Sequence, residues 1–359
     1  MKAELYTDPA AFDTLRAEWA DLLARSTFDT LFLRPEWLGA WWQVFGPEGA
    51  LRLIAVRDDA GRLVGLAPLF LAEVAADASA PLPAMSFERP RPEHGAARLP
   101  ALLLVGGTEV SDYLDCIVDP AQAPAVYEAI VATLEQQVPG WAWLDLHGLP
   151  EASPTPGALA GLARDRGLAV ALGQEDVCPV VALPETWEAY LATLGKKQRH
   201  ELRRKMRNIA QAGPVRLVEA RDPAELEGHL QTFIALHEAS TPDKADFMRD
   251  PRMRRFFGLV ARMALENGWL DLSFLALGDE LAATMFCFRY RGAELVYNSG
   301  FNPQAWPGLS PGIVLLGRCI QRAIEAGLRE FDFLQGDERY KYDFGARDRA
   351  VQRLLIRRG

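Results

Sequence analysis

The run Val296–Lys341 constrains this chain more than any other. It reads as an apolar strand, a loop rich in Gly and Pro, an amphipathic helix, a second apolar strand and a polar turn. Ser310-Pro311-Gly312 stands where the helix should begin. Serine is a favoured N-cap, proline fits the first helical position, and glycine lets another group approach the backbone. Such a helix start offers unpaired amides and the positive end of a dipole, which suits a phosphate. Ile313, Leu316, Ile320 and Ile324 form a stripe at helical spacing that can lie on a sheet. Gly327 should end the helix, and Phe331-Asp332-Phe333-Leu334 reads as the next strand. An ordinary α/β crossover has the same outline, because helix starts resemble one another, so function must be argued from further residues.

With 359 residues the chain is long enough for two domains, each burying its own core. Its apolar and charged fractions are those of a soluble globular protein. A net charge of −9 argues against nucleic-acid binding over the whole surface and confines any such contact to a local patch. The opening residues MKAELYTDPAAFDTL lack an apolar signal core. No run approaches the roughly 20 apolar residues that span a bilayer, so a cytoplasmic location is expected. Cys116, Cys178, Cys287 and Cys319 are scattered singly and read as buried free thiols. No CxxC or Cys/His cluster points to zinc, and no metal is expected.

In chain order, residues 9–24 predict an amphipathic helix, and a second follows Arg34-Pro35 with Trp37, Leu38, Trp41 and Trp42. That aromatic stripe reads as core. Leu51–Val56 and Leu63–Leu71 form a hairpin about Asp58-Asp59-Ala60-Gly61. Residues 76–100 lack periodicity and read as a long surface loop. The strands Leu102–Val105 and Leu114–Val118, a helix over 124–137 and the strand Trp143–Leu146 come next, and residues 148–157 look like the best local break. A helix over 158–166 and a strand over 168–172 follow. The second half begins with a short helix at Thr186–Leu194, a basic segment over 196–207 and the strand Val215–Glu219. Helices near 223–239 and 251–267, a hairpin about Gly278-Asp279, a further strand at Glu294–Ser299 and a last strand at Val351–Ile356 complete the reading.

Side by side, the halves follow one plan: two helices, a hairpin, another strand, a crossover helix and an aromatic-acidic strand. Leu144-Asp145-Leu146 answers Phe331-Asp332-Phe333. The order of elements resembles the GNAT acyltransferase fold. More narrowly it resembles the FemAB-like/CelD-like branch, in which two GNAT-like domains run in tandem. The stretches that carry the likeness are GLAPLFLAEV, VSDYLDCIVDP, LGKKQRHELRRKMRNIA and SPGIVLLGRCIQRAIEAGLREFDFLQGDERYKYDFG. The resemblance implies an α/β (α+β) protein of two domains, each a mixed, mostly antiparallel, splayed sheet flanked by helices. Domains are expected at 1–165, degenerate and structural, and at 166–359, binding the donor and catalytic. The implied activity is acyl transfer, acetyl in the first instance, from an acyl-CoA such as acetyl-CoA to a primary amine. An aminoacyl-tRNA- or acyl-carrier-protein-dependent transferase and a non-catalytic thioester- or partner-binding module are the alternatives.

Departures from the family pattern matter. Pro307-Gly308-Leu309-Ser310-Pro311-Gly312 supplies only part of the usual phosphate loop, and Pro311 has no N–H to give. Asn298, Ser299, Gly308, Ser310, Gly312 and Ile313 are the expected donor-binding residues, with an oxyanion-binding amide somewhere in Asn298–Phe301. The equivalent loop of the first half, Asp119-Pro120-Ala121-Gln122-Ala123-Pro124, has no glycine and an acid at its entry, so a phosphate would be poorly received there.

Catalysis needs a neutral amine, a polarised carbonyl and a proton for the departing thiolate. Tyr340 is the favoured proton donor, with Tyr342 as its rival. Lys341 is expected to meet a carboxylate or carry charge near the donor, and Asp332 and Glu338 are the candidate bases, Glu338 also serving substrate docking. Asp332 has a capping role as its alternative, and Lys341 a buried ion pair. His200 and His237 read as ordinary polar residues. In the basic segment, Leu202, Met206 and Ile209 should form an apolar stripe, while Lys196, Arg199, Arg203 and Arg207 cluster on another face. Such a face can be simply solvated, or it can dock CoA phosphates, an acidic carrier protein or a tRNA backbone. Residues 76–100 and 239–251 are expected to shape the acceptor pocket.

Overall fold

The computed structural model describes residues 1–47, 49–75, 98–304 and 306–358. The chain divides into two compact units, Met1–Val177 with Arg349–Gly359, and Cys178–Asp348. The division falls at 177/178, not at the expected 165/166, and the last strand returns to the first unit.

The first unit contains β1 (Lys2–Tyr6), α1 (Ala11–Thr14), α2 (Arg16–Arg25), α3 (Pro35–Phe45), β2 (Leu51–Arg57), β3 (Leu63–Ala75), β4 (Arg98–Leu104), β5 (Ile117–Val118), α4 (Ala123–Gln137), β6 (Trp143–Pro150), α5 (Thr155–Asp165) and the opening of β7 (Ala169–Ala182). Within this unit the pairs β1–β2, β2–β3, β3–β4, β3–β5 and the pair of β6 with the last strand run antiparallel, and β4–β6 is parallel. The tryptophans of α3 are buried, as the stripe predicts.

Several expectations change here. The helix over 9–24 is broken at Leu15, and the run at 114–118 yields only the two-residue β5. Residues 98–100 belong to β4, while 76–97 lie outside the described residues. The supposed break at 148–157 ends β6 and starts α5. Its polar, Pro-rich composition is tolerated because the strand from residue 347 onward pairs with it, Val351 opposite Pro150 and Gln352 opposite Leu149. A partner that arrives two hundred residues later leaves no local signature.

The second unit continues with α6 (Trp187–Thr193), α7 (Lys196–Ala212), β8 (Val215–Glu219), α8 (Leu226–Ser240), α9 (Pro242–Arg249), α10 (Pro251–Glu266), β9 (Leu270–Leu277), β10 (Glu280–Tyr290), β11 (Ala293–Phe301), α11 (Pro311–Glu325), β12 (Glu330–Asp332) and α12 (Arg339–Asp343), before β13 (Arg347–Arg357). Its strands are ordered β7-β12-β11-β10-β9-β8, antiparallel except at β11–β12. The segment 239–251, expected to shape the acceptor pocket, holds α9. Thr241 Oγ1 accepts from Lys244 N at 3.3 Å, and Asp250 Oδ1 accepts from Arg252 N at 2.9 Å to start α10.

The core of this unit lies between the sheet and α11, whose Val314, Leu315, Leu316, Cys319, Ile320, Ala323 and Ile324 are all buried. Ile313, the first residue of the predicted stripe, is half-buried; burial of the rest of the stripe, and beyond it, follows from α7, which covers the outer side of α11. A methyl group placed on Gly317 would sit 3.0 Å from Leu202 Cδ1, so the glycine sets how closely the two helices approach. All four cysteines are buried free thiols.

Both units contain one parallel step, and both steps are short. In the second, β11 and β12 pair only at Ala293–Glu330, Glu294–Phe331 and Leu295–Asp332. Beyond Leu295, β11 keeps β10 on one edge and leaves β12 behind. Tyr297 is an extra residue at this point, since Val296 opposes Cys287 and Asn298 opposes Phe286. A bulge bends and twists its strand, which accounts for the parting. In the first unit, β4 and β6 pair only at Ala101–Trp143 and Leu102–Leu144. There the free edge of β6 is taken by backbone, with Leu114 N donating to Gly148 O at 3.0 Å.

At Gly300 in β11, a Cβ would lie 2.5 Å from the backbone nitrogen of His237 in α8. Gly300→Ala should therefore destabilise the protein by about 1–3 kcal/mol, the usual range for overpacking, as measured by urea unfolding. Wild-type stability in this variant would show that α8 can move off the strand.

Candidate active site

The parting of β11 from β12 leaves Val296–Phe301 with an edge that no strand covers. Asn298 and Ser299 are half-buried on this stretch. The start of α11 lies beside its end, because a Cβ on Gly312 would touch the Phe301 ring at 3.5 Å. The expected N-cap is different in detail. Ser310 is left-handed, φ 52°, and its side chain makes no capping bond. Helix closure rests instead on Val314 N donating to Ser310 O at 3.2 Å. Pro311 occupies the first helical position as predicted, and no described residue accepts from the amides of Gly312 or Ile313. Gly308 and Ser310 belong to the same loop, whose Trp306 Nε1 donates to Glu280 Oε2 at 3.0 Å.

The direction of α11 is fixed at its other end. Arg322 Nη2 reaches Asp271 Oδ1 and Oδ2 at 2.6 and 2.7 Å and Ser273 Oγ at 2.8 Å, and Nη1 lies 2.9 Å from Glu219. Arg289 joins the network through Glu294, 2.9 Å away.

Past β12 the chain turns sharply at Leu334, φ 57°, and Gly336, φ 106°. Asp332 is buried and accepts from Leu334 N at 2.8 Å, so it closes a turn and caps no helix there. Lys341 is also buried. Its ammonium donates to the carbonyls of Leu334, Gln335 and Gly336 at 3.2, 2.8 and 2.9 Å and meets Glu338 at 2.9 Å. Both residues hold the turn that carries α12. Glu338 is exposed.

The two tyrosines of α12 differ. Tyr342 donates to Asp348 Oδ1 at 2.7 Å. Tyr340 is 37% exposed, stands edge-on to Phe333 with ring centroids 6.0 Å apart, and its hydroxyl bonds no described residue. Burial around the hydroxyl, then the Glu338 carboxylate, push its phenol above the ordinary range. A phenol so placed keeps its proton at neutral pH and is available as a proton donor.

Of two further residues on the open edge, the sequence reads His237 as an ordinary polar residue and does not single out Lys244. His237 of α8 and Lys244 of α9 converge on the Ser299 carbonyl, with Nδ1 at 3.1 Å and Nζ at 2.6 Å. The segment Thr241-Pro242 carries a helix-start signal that would have revealed α9, but nothing local shows that Lys244 reaches a strand. The basic face of α7 is less uniform than expected. Lys196 and Lys197 are exposed, Arg203 pairs with Glu188 at 2.8 Å, Arg204 pairs with Glu201 at 2.7 Å, and Arg199 turns toward Leu191 O.

Burial, reinforced by the Lys244 charge, lowers the His237 pKa to about 4, against the Ser299 carbonyl, which raises it. The ring is neutral in the fold and protonatable in the unfolded chain. Its contribution to stability is complete above pH 6.5 and is lost as pH falls toward 4, by up to about 3 kcal/mol. Urea unfolding from pH 7 to 4 should show this loss in the wild type and a shallower slope in His237→Gln.

Residues 196–342 match the acetyltransferase (GNAT) domain family. Among curated proteins none matches the sequence. Among solved structures, FemX shares the fold with a TM-score of 0.62 at 11% identity, over 99% of this chain and 97% of FemX. A conserved protein from Bacteroides thetaiotaomicron gives 0.54 at 12% identity over 99% and 100% of the two chains. L-PGS from Bacillus licheniformis gives 0.52 at 12% over 98% and 92%. Residues 196–342 thus match a GNAT acetyltransferase domain, and over nearly its whole length the chain shares its fold with FemX.

Proposed function

We propose that the second unit moves an acyl group, acetyl in the simplest case, from a CoA thioester to a primary amine by direct transfer. The observation that carries this reading is the edge of Val296–Phe301 that no strand covers, with the amino end of α11 beside it. In this reading the amides of Gly312 and Ile313, with the loop at Gly308 and Ser310, receive the donor's pyrophosphate. The backbone at Asn298 and Ser299 guides the thioester arm, and an amide within Asn298–Phe301 binds the carbonyl oxygen as it gains charge. The amine nitrogen attacks the carbonyl carbon, the C–S bond breaks, and the thiolate takes the Tyr340 proton. Glu338 receives the acceptor and takes the proton that the amine loses. Asp332 and Lys341 are positioning residues, since they hold the turn from which Glu338 and Tyr340 project. The first unit serves as scaffold.

A second reading draws on α7, where Lys196, Lys197, Arg203, Arg204 and Arg207 are exposed and the helix packs on α11 at Gly317. There the donor is an aminoacyl-tRNA or an acyl carrier protein docked on this face, in keeping with the fold shared with FemX. Acetyl-CoA should raise the melting temperature by mass action if the first reading holds. A response to charged tRNA alone, steeply weakened by salt and by Lys196→Ala with Arg203→Ala, would favour the second. Silence toward all donors would leave a non-catalytic binding module.

Tyr340→Phe should lower kcat by about 100-fold while leaving the KM for acetyl-CoA near the wild-type value, as measured by thiol release. An unchanged kcat would remove Tyr340 from the mechanism.

A further inference from the structure

Among the described residues, Lys244 is a cation without a counter-ion. It is half-buried, its Nζ donates to Ser299 O at 2.6 Å and approaches Ser299 Oγ at 3.5 Å, and no carboxylate of a described residue lies within ion-pair distance. Neutral oxygens satisfy its hydrogens in part but not its charge, and a half-buried charge left unbalanced is costly. Glu338 is the carboxylate whose field reaches it, and Glu338 is itself tied to Lys341 at 2.9 Å. Burial lowers the Lys244 pKa, and Glu338 only partly offsets that. The cation sits on the part of β11 that has left β12, where the proposed transfer would take place.

We propose that Lys244 seats a carboxylate of the acceptor, so that the amine acylated here belongs to an amino acid or to a peptide-like amine with a free acid group. This rests on the acyl-transfer reading and narrows it to a substrate class. A single negative charge fits best, because a dianionic phosphate would place a second charge near Glu338. The Ser299 carbonyl, also held by His237 Nδ1, fixes the ammonium at a defined point, as recognition of a small anion requires.

The chain has six lysines, few enough for their ε-methylene signals to be resolved after 13C-lysine labelling. Lys244→Arg identifies the signal to follow. N-acetylglycine and N-acetylglycinamide differ in charge at nearly equal shape and can be titrated at fixed ionic strength. The Lys244 signal should move saturably with N-acetylglycine and at least fivefold more weakly with the amide. No movement, equal movement with both compounds or with added sodium chloride, or tighter binding of inorganic phosphate would each overturn the proposal and leave Lys244 as a pin between α9 and β11. A thermal-shift titration with acetyl-CoA runs alongside. A CoA response without a carboxylate response at Lys244 sinks this inference alone. A carboxylate response without CoA binding supports the seat and counts against the donor.

Discussion

The grip of Arg322 on Asp271 is the interaction on which the rest of the second unit depends. Burial alone would raise the Asp271 pKa, but Arg322 and Arg289 overrule it and hold the carboxyl below the usual range. Glu294 goes the other way, pushed well above its ordinary value by burial and by the Asp271 charge. The network thus keeps one carboxylate fully ionised at the last turn of α11, where a cation also complements the helix dipole. Removing one member of such a buried pair typically costs about 3–5 kcal/mol, because the other is stranded. With that end fastened to β9 and β8, the free amides at the opposite end of α11 are delivered beside Phe301.

The two units show how one plan can diverge. Each has a parallel step of two or three residue pairs, after which the strands part. In the first, the chain itself fills the free edge through Leu114, and the acid that answers Asp332 is committed elsewhere. Asp145 receives Arg353 through two bonds of 2.7 Å and lies 3.1 Å from His147. In the second, the corresponding edge is met by side chains: His237 and Lys244 at the Ser299 carbonyl and Ser240 at Phe301. A side chain can bond the strand and a ligand together, whereas a backbone segment bonded into a sheet closes the edge. That contrast is the physical basis for placing the chemistry in the second unit.

Much of this was legible in the sequence. The hairpins, the helix after Ser310 and the buried aromatic stripe follow from period, turn residues and Pro or Gly placement, all of which are local. The open edge was reachable only through resemblance, because it depends on Tyr297 being unmatched across β10, a property of register that no window of residues displays. The roles of Lys341 and Asp332 were also not decidable in advance. A lysine beside a tyrosine reads the same whether it meets a ligand or three backbone carbonyls. Ser310 misled in a simple way, since a serine before Pro-Gly looks like a cap until its backbone is found to be left-handed.

The return of β13 to the first unit has a consequence for how the protein is made. Residues 349–357 leave the ribosome only after the whole of the second unit has been synthesised, yet they complete the sheet of the first beside β6. The early half therefore waits with an unpaired β6 edge, exposed to pairing errors, while the later half can close on itself as it emerges. Maturation runs against the direction of translation: the part that is born first is the last to be finished.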